Sequence, residues 1–174
     1  MSNRNPEVQI NALIRVIGDD LPTQLTALQT AYADGIALDN IKKFYEAAQT
    51  RPYNRPACVI EALRSVPKEN AEGIRRHFIR LRLFVESLKG MKTYLGRSLT
   101  SSELATKKLQ RTLEGIEIVL ENNYQLIVDS VPQASQVLVR DVPYDPVKMP
   151  KGPEGQQELF FKDGTLLLEV LVSS

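Results

Sequence analysis

The chain has 174 residues, of which 43% are hydrophobic, and this is enough for one domain with a substantial core and a modest accessory segment. Its 22 basic and 21 acidic residues give a net charge of +1, which excludes a strong overall attraction to nucleic acid or to an anionic membrane. The single cysteine, Cys58, excludes an intramolecular disulfide and fits a reducing compartment. No run approaches the ~20 apolar residues that cross a bilayer. The sequence therefore predicts a soluble protein made in the cytoplasm.

Residues 1–50 are predicted to form an N-terminal helical segment. Apolar residues at helical spacing indicate a first helix that ends at Gly18, a second from Pro22 to Gly35, and a third, shorter one over Leu38–Ala48. Three short amphipathic helices bury little surface on their own. We therefore expect them to pack on the rest of the chain or on a neighbouring subunit.

Residues 51–174 are predicted to form an α+β core domain. β-strand patterns and one amphipathic helix alternate along this part of the chain. They cover Arg51–Ser65 (strand), Gly73–Leu88 (strand), Thr100–Asn122 (helix), Gln136–Tyr144 (strand) and Glu158–Val172 (strand). The predicted fold is an antiparallel sheet of about four strands, in the order β-β-α-β-β, covered by one long helix.

Two local signals refine this prediction. Thr100 and Glu103 have the spacing of a capping box at the start of the long helix. Asp163 and Gly164 stand between two apolar runs, Leu159–Phe161 and Leu166–Val172, and this dipeptide is the strongest hairpin signal in the chain.

The second predicted strand has two different faces. Side chains alternate across a strand, so one face is apolar and carries His77, Ile79, Leu81, Leu83 and Val85. The other face combines basic, aromatic and acidic residues: Arg76, Phe78, Arg80, Arg82, Phe84 and Glu86. These six residues are the candidate interface.

Two interpretations of that mixed face are open. Arginines that alternate with aromatic rings on a sheet can neutralise phosphates and stack on bases. Alternatively, the arginines pair with acidic groups of a neighbouring strand or subunit, such as Glu61, Glu86 or Glu169. Because the chain as a whole is neutral and nothing else extends the basic patch, we favour the second interpretation.

The segment 143–157 contains several prolines and glycines and is predicted to be an extended, exposed loop. Loops longer than ~12 residues in small domains are usually binding elements or disordered segments. As a binding element, the loop would use Lys148, Met149 and Lys151 to dock on a partner. Plain disorder is the alternative.

The sequence contains few residues that could support catalytic chemistry. His77 is the only histidine and alternates with apolar residues, which is typical of a structural side chain. Cys58 lies mid-strand and resembles a small core residue. No glycine-rich phosphate-binding loop or metal-ligand spacing is present in the sequence. We therefore predict no catalytic residues, no metal site and no cofactor, and expect that the protein is not an enzyme.

Four runs of the sequence carry a resemblance to a known family. They are Arg51–Ile60, the arginine-rich strand Arg75–Val85, the helix end Ile116–Asn123, and the closing Phe160–Val170. Together this pattern of elements is similar to the small neck and tail-terminator (tail-completion) proteins of tailed bacteriophages, and the likeness covers about two-thirds of the chain. The helical N-terminal part is longer than a minimal member of that family needs.

The resemblance implies a structural virion protein, located in the neck or tail and assembled in the host cytoplasm. Such a protein forms a homo-oligomeric ring, with a hexamer expected, terminates the tail tube and joins it to the head-side connector. Its implied partners are further copies of itself, the tail tube protein and the head–tail connector protein. Neither a membrane nor a specific nucleic acid is implied, beyond genomic DNA passing through the ring.

Two other functions remain open. One is a small nucleic-acid-binding domain that uses the arginine and phenylalanine face of the second strand. The other is a ligand-binding or enzymatic α+β domain with a pocket between helix and sheet.

Overall fold

The structure is a computed structural model that describes residues 5–46, 55–69, 72–88, 92–94, 96–141 and 159–173. Two helices and nine strands lie in these ranges. In chain order they are α1 (Glu7–Tyr32), β1 (Lys43–Tyr45), β2 (Ala57–Pro67), β3 (Ile74–Leu88), β4 (Lys92–Tyr94), β5 (Arg97–Leu99), α2 (Ser101–Asn122), β6 (Ile127–Val128), β7 (Val131–Pro132), β8 (Gln136–Asp141) and β9 (Leu159–Ser173). The predicted α+β class is confirmed.

The main sheet has five strands in the order β1-β2-β3-β9-β8. β1 runs parallel to β2, and the other pairs are antiparallel. The sheet is therefore mixed, whereas the sequence predicted four antiparallel strands. β4 pairs with β5 and β6 pairs with β7 in two small separate sheets.

Both helices pack on one face of this sheet. α2 lies against β3 and β9, and α1 packs against α2. The two helices approach closely at Gly115, where a Cβ atom would lie 3.1 Å from Leu25 of α1. Buried apolar side chains from α1, α2 and the four longest strands form one hydrophobic cluster. The sequence predicted a single covering helix, but two long helices contribute to this core.

The first two predicted helices are one continuous helix, α1. Gly18 does not end it, and Pro22 lies inside it. The reason is tertiary: Ile17, Leu21 and Leu25 follow each other at intervals of four residues and are all buried, so both predicted pieces present one apolar stripe to the core. Burial of that stripe outweighs the backbone hydrogen bond that a proline cannot donate.

The third predicted helix, Leu38–Ala48, is wrong over its described part, which is extended and includes β1. Two side chains hold the backbone in this form: the Ile36 amide donates to Asp34 Oδ1 at 3.0 Å, and the Leu38 amide donates to Gln29 Oε1 at 2.6 Å. Pairing of β1 with β2 then satisfies further backbone groups. A short helix without such partners has little intrinsic stability.

The predicted hairpin at Asp163–Gly164 is also wrong. β9 passes straight through both residues and pairs with β3 along its whole length, from Ser173 opposite Ile74 to Leu159 opposite Leu88. Gly164 lies directly under α2, where a Cβ atom would stand 2.9 Å from Leu113 Cδ1. The glycine therefore permits close packing of helix on sheet and does not form a turn.

Other local predictions are confirmed. The capping box is present, because the Thr100 hydroxyl accepts from the Glu103 amide at 3.3 Å and the Glu103 carboxylate accepts from the Thr100 amide at 2.8 Å. The alternation along β3 also holds: His77, Ile79, Leu81 and the following alternate residues are buried against the helices. None of the described helices has the length and apolar character needed to cross a membrane.

Candidate interface on the outer face of the sheet

The outer face is the side of the main sheet that points away from α1 and α2. Alternation along β3 places the six candidate residues on this face, and strand register adds neighbours from β2, β9 and β8. The described residues with polar contacts on this face are Arg55, Glu61, Arg64, Arg76, Arg80, Arg82, Glu86, Arg140, Asp163 and Glu169. Six arginines thus share the face with four carboxylates.

Arg80 pairs with Glu61 of β2. The two residues are direct cross-strand partners, and Arg80 Nε donates to Glu61 Oε1 at 2.7 Å. A second guanidinium nitrogen contacts the same oxygen. The Arg80 side chain remains 42% exposed, so this pair lies at the boundary with solvent. An ion pair in that position contributes little to stability.

Arg82 pairs with Asp163 of β9, and this carboxylate is buried. Arg82 Nε donates to Asp163 Oδ2 at 2.7 Å, while the aspartate side chain is only 1% exposed. The guanidinium also lies 4.9 Å above the Phe84 ring. A buried carboxylate needs such a partner, because an unpaired charge costs several kcal/mol there. Arg82 is therefore part of the internal structure of the sheet.

Glu169 of β9 contacts one arginine from each of the two neighbouring strands. Arg140 of β8 donates to it at 2.8 Å, and Arg76 of β3 approaches it at 4.0 Å. The Nε atom of Arg76 is buried and has no hydrogen-bond partner among the described residues. One carboxylate thus serves two cations, which leaves positive charge on this part of the face.

Two further contacts complete the face. Arg64 of β2 stacks over the Phe78 ring at 4.2 Å, and no carboxylate of the described residues pairs with it. Arg55 Nε lies 3.3 Å from Glu86 Oε2. Arg64 is exposed and Phe78 half-buried, whereas Phe84 further along β3 is buried. The accessible part of the outer face therefore lies around Arg64, Phe78, Arg80 and the Glu169 cluster.

Each acid that the sequence analysis named meets an arginine in this way. Glu61, Glu86 and Glu169 pair with Arg80, Arg55 and the Arg76–Arg140 pair within the same chain. The candidate residues Arg76, Phe78, Arg80, Arg82, Phe84 and Glu86 do lie together on one surface. Whether this surface contacts another molecule remains a prediction. The docking residues Lys148, Met149 and Lys151 lie outside the described residues.

Sequence reasoning missed Asp163, Arg64 and Arg140. Asp163 was assigned to a turn, although extending the apolar alternation of β9 through it would have placed it on the outer face beside Arg82. Arg140 alternates with the core-facing Val137 and Val139 along β8, so extending that alternation would have placed it on the outer face. Arg64 reaches the outer face only through a bulge between Ala62 and Arg64. A bulge inserts one residue and shifts the alternation, which sequence alone does not reveal.

The reactive side chains named in the sequence lie in the core. Cys58 is fully buried, and burial raises the pKa of its thiol. His77 is fully buried on the helix side of β3. Within the described ranges, no group of three or more histidine, cysteine, aspartate or glutamate side chains could hold a metal ion.

Comparison with known proteins finds no protein-family model that matches this sequence and no curated protein that matches it.

Proposed function

We propose that this protein is a structural virion protein of a tailed phage, which forms a ring at the neck, terminates the tail tube and joins it to the head-side connector. Two lines of reasoning support the proposal. One is the resemblance of the order of elements and of the runs around β2, β3 and β9 to the tail-terminator and neck proteins. The other is the build of the outer face.

The observation that carries the proposal is the arginine-rich outer face, which spans β2, β3, β9 and β8 and is internally paired. Its ion pairs fix long side chains that would otherwise lose conformational freedom on binding, so the surface is already ordered before a partner arrives. Aromatic side chains and arginines are also the residues enriched in protein interfaces. A mixed face of this kind suits contact between protein subunits.

The direct test is the mass of the full chain in solution, alone and after incubation with purified tail tubes. A closed ring gives a multiple of 19.6 kDa by sedimentation equilibrium, and tubes that have bound it stop growing at one end. A mass of 19.6 kDa under both conditions, with tubes that continue to grow, would refute the proposal.

The contribution of the outer face is tested at Arg80. Arg80→Glu should weaken self-association, but it also places two acids opposite each other on β2 and β3. The charge-swapped double variant Arg80→Glu/Glu61→Arg restores the internal pair. The double variant should therefore fold normally. If the face binds a second subunit, the double variant should still assemble poorly. Arg82→Glu is unsuitable for this purpose, because it would leave buried Asp163 beside a second acid.

The loop 143–157 is proposed to dock on the partner ring through Lys148, Met149 and Lys151. Shortening the loop between Val147 and Gly155 should leave ring formation unchanged and block the joining of tails to heads. Normal joining by the shortened protein would assign docking to another surface, with α1 as the next candidate.

A small nucleic-acid-binding domain is the second candidate, and the stacking of Arg64 on Phe78 favours it. Against it, the three β3 arginines lie beside carboxylates with which a phosphate would compete. Binding of a fluorescent single-stranded oligonucleotide at low salt, with an affinity that falls as salt rises, would support this function. Absence of binding at low salt would exclude it.

A further inference from the structure

Two exposed patches that contain apolar side chains lie at opposite edges of the main sheet. The first is the β2 corner, defined here as Leu63 and Arg64. Leu63 is 49% exposed and stands at the bulge of β2. β1 pairs only with Ala57–Val59, so at Leu63 the strand β2 is the outermost of the described strands. An apolar side chain at an open sheet edge is a typical contact point for another chain.

The second patch is the hairpin patch, defined here as Tyr124, Ile127 and Val131. All three side chains are at least half exposed. The hairpin β6–β7 precedes β8, the edge strand on the other side of the sheet, and the Val137 amide of β8 donates to the Tyr124 carbonyl at 2.7 Å. β3 and β9 separate this edge from β2.

Side chains of α1 contact the hairpin at its tip and at its base. Arg15 of α1 donates two hydrogen bonds to Asp129 at the hairpin tip, at 2.7 and 2.8 Å. At its base, the Gln9 side chain donates to the Gln133 carbonyl at 3.0 Å. A preformed apolar surface binds with little ordering cost, which favours a role in association.

The charges beside the two patches are complementary. Arg64 is exposed and has no acidic partner among the described residues. Glu121 is exposed one turn before Tyr124. Burial raises the pKa of Glu117, and the nearby Glu121 carboxylate raises it further. An incoming cation would relieve the repulsion between these carboxylates.

We propose that the β2 corner of one copy docks on the hairpin patch of the next copy, with Leu63 packed among the apolar side chains and Arg64 beside Glu121. The contact joins different surfaces of the two copies, so repetition generates a ring when the rotation closes. This inference rests on the proposed ring and names one contact that builds it, in which the outer face takes part through Arg64 at its β2 edge.

The first test mixes two variants that each lack one half of the contact. Leu63→Asp disables the β2 corner and Val131→Asp disables the hairpin patch, and both positions are exposed, so the new carboxylate faces solvent. Each variant alone should be reduced to 19.6 kDa. An equimolar mixture should contain a dimer of the two variants, because one intact contact remains between them. Ala27→Asp, an exposed position on α1, is the control and should assemble like the wild type.

The outcomes separate this inference from the proposed function. A wild type that stays monomeric overturns both the ring and the contact. A wild type that forms rings, together with variants that also form rings, overturns only the contact. A charge swap adds a check: Arg64→Glu and Glu121→Arg should each weaken assembly, and their combination should restore it. Failure of the double swap to restore assembly would refute the proposed pairing of Arg64 with Glu121.

The second test is a disulfide between copies. The only native cysteine is fully buried, so a Leu63→Cys/Tyr124→Cys variant carries the only exposed thiols. Within one chain these positions are at least three strand spacings apart, ~14 Å, which is too far for a disulfide. Under oxidation the double variant should give a ladder of covalent multimers and each single variant should give none. A dimer from the Leu63→Cys variant alone would indicate a two-fold contact and refute the head-to-tail arrangement.

Discussion

Substitution of Gly164 by alanine tests the packing of α2 on the sheet. The added Cβ would lie 2.9 Å from Leu113 Cδ1 and 3.2 Å from Leu109 Cδ2. Both leucines are almost fully buried, so neither can move aside into solvent. Overpacking of this kind costs about 1–3 kcal/mol. For a chain of this size, that loss lowers the melting temperature by about 2–12 °C.

The assay is thermal and urea unfolding, followed by circular dichroism. Gly18→Ala is the matched control, because its Cβ would meet only Phe44 at 3.7 Å, an ordinary contact, and alanine favours the middle of a helix by about 1 kcal/mol. The control should therefore be stabilised while Gly164→Ala is destabilised. A Gly164→Ala protein that is as stable as the wild type would refute the close-approach argument.

A double-mutant cycle with Leu113→Ala distinguishes close packing from a turn. If the clash with Leu113 causes the loss, Gly164→Ala should cost clearly less in the Leu113→Ala background. If Gly164 instead occupied a turn that requires glycine, its replacement would cost the same in both backgrounds.

Three further predictions concern charges and caps. Asp163→Asn removes the buried charged partner of Arg82 and should lower the free energy of unfolding by about 3 kcal/mol. The control Asp129→Asn breaks an exposed pair and keeps a residue that tolerates positive φ, so it should cost no more than ~1 kcal/mol. Equal losses for the two variants in urea unfolding would contradict the burial of the Asp163 carboxylate. The pKa of Asp34 lies below its usual value because the Arg111 guanidinium of α2 donates hydrogen bonds to its carboxylate. The ionised carboxylate therefore stabilises the fold above pH ~3.9, and this contribution disappears as the pH falls through the lowered pKa. Stability measured from pH 6 to pH 2 should therefore decline less steeply for Asp34→Asn than for the wild type, and parallel curves would argue against the pairing. Thr100→Ala removes the N-cap of α2 and should cost about 1 kcal/mol in the same unfolding assay, and an unchanged midpoint would mean that the cap hydrogen bond contributes nothing.

The candidate interface was predictable from sequence in its central strand, and its acidic partners were foreseen only as a group without assigned pairs. Alternation along β3 placed Arg76, Phe78 and Arg80 on one face, because neighbouring residues in a strand point to opposite sides whatever the rest of the chain does. The partners of these residues come from the two strands that flank β3 in the sheet, β2 and β9. Glu61 and Asp163 reach the face only through strand register, which is a property of the folded sheet.

The α+β class, the bounds of α2 with its capping box and the two faces of β3 were determined by the sequence alone, because each depends on periodicity or on residues within one helical turn. The tertiary structure decided the conformation of the residues that local patterns assign to helix ends, a third helix and a turn. Pro22 lies within a continuous helix, Leu38 lies in an extended segment that leads to β1, and Gly164 lies in the middle of β9. The causes are, in that order, burial of an apolar stripe, pairing with a distant strand and close approach of a helix. Each outweighs a local preference of about 1–3 kcal/mol, and each of these contacts exists only once the chain has folded.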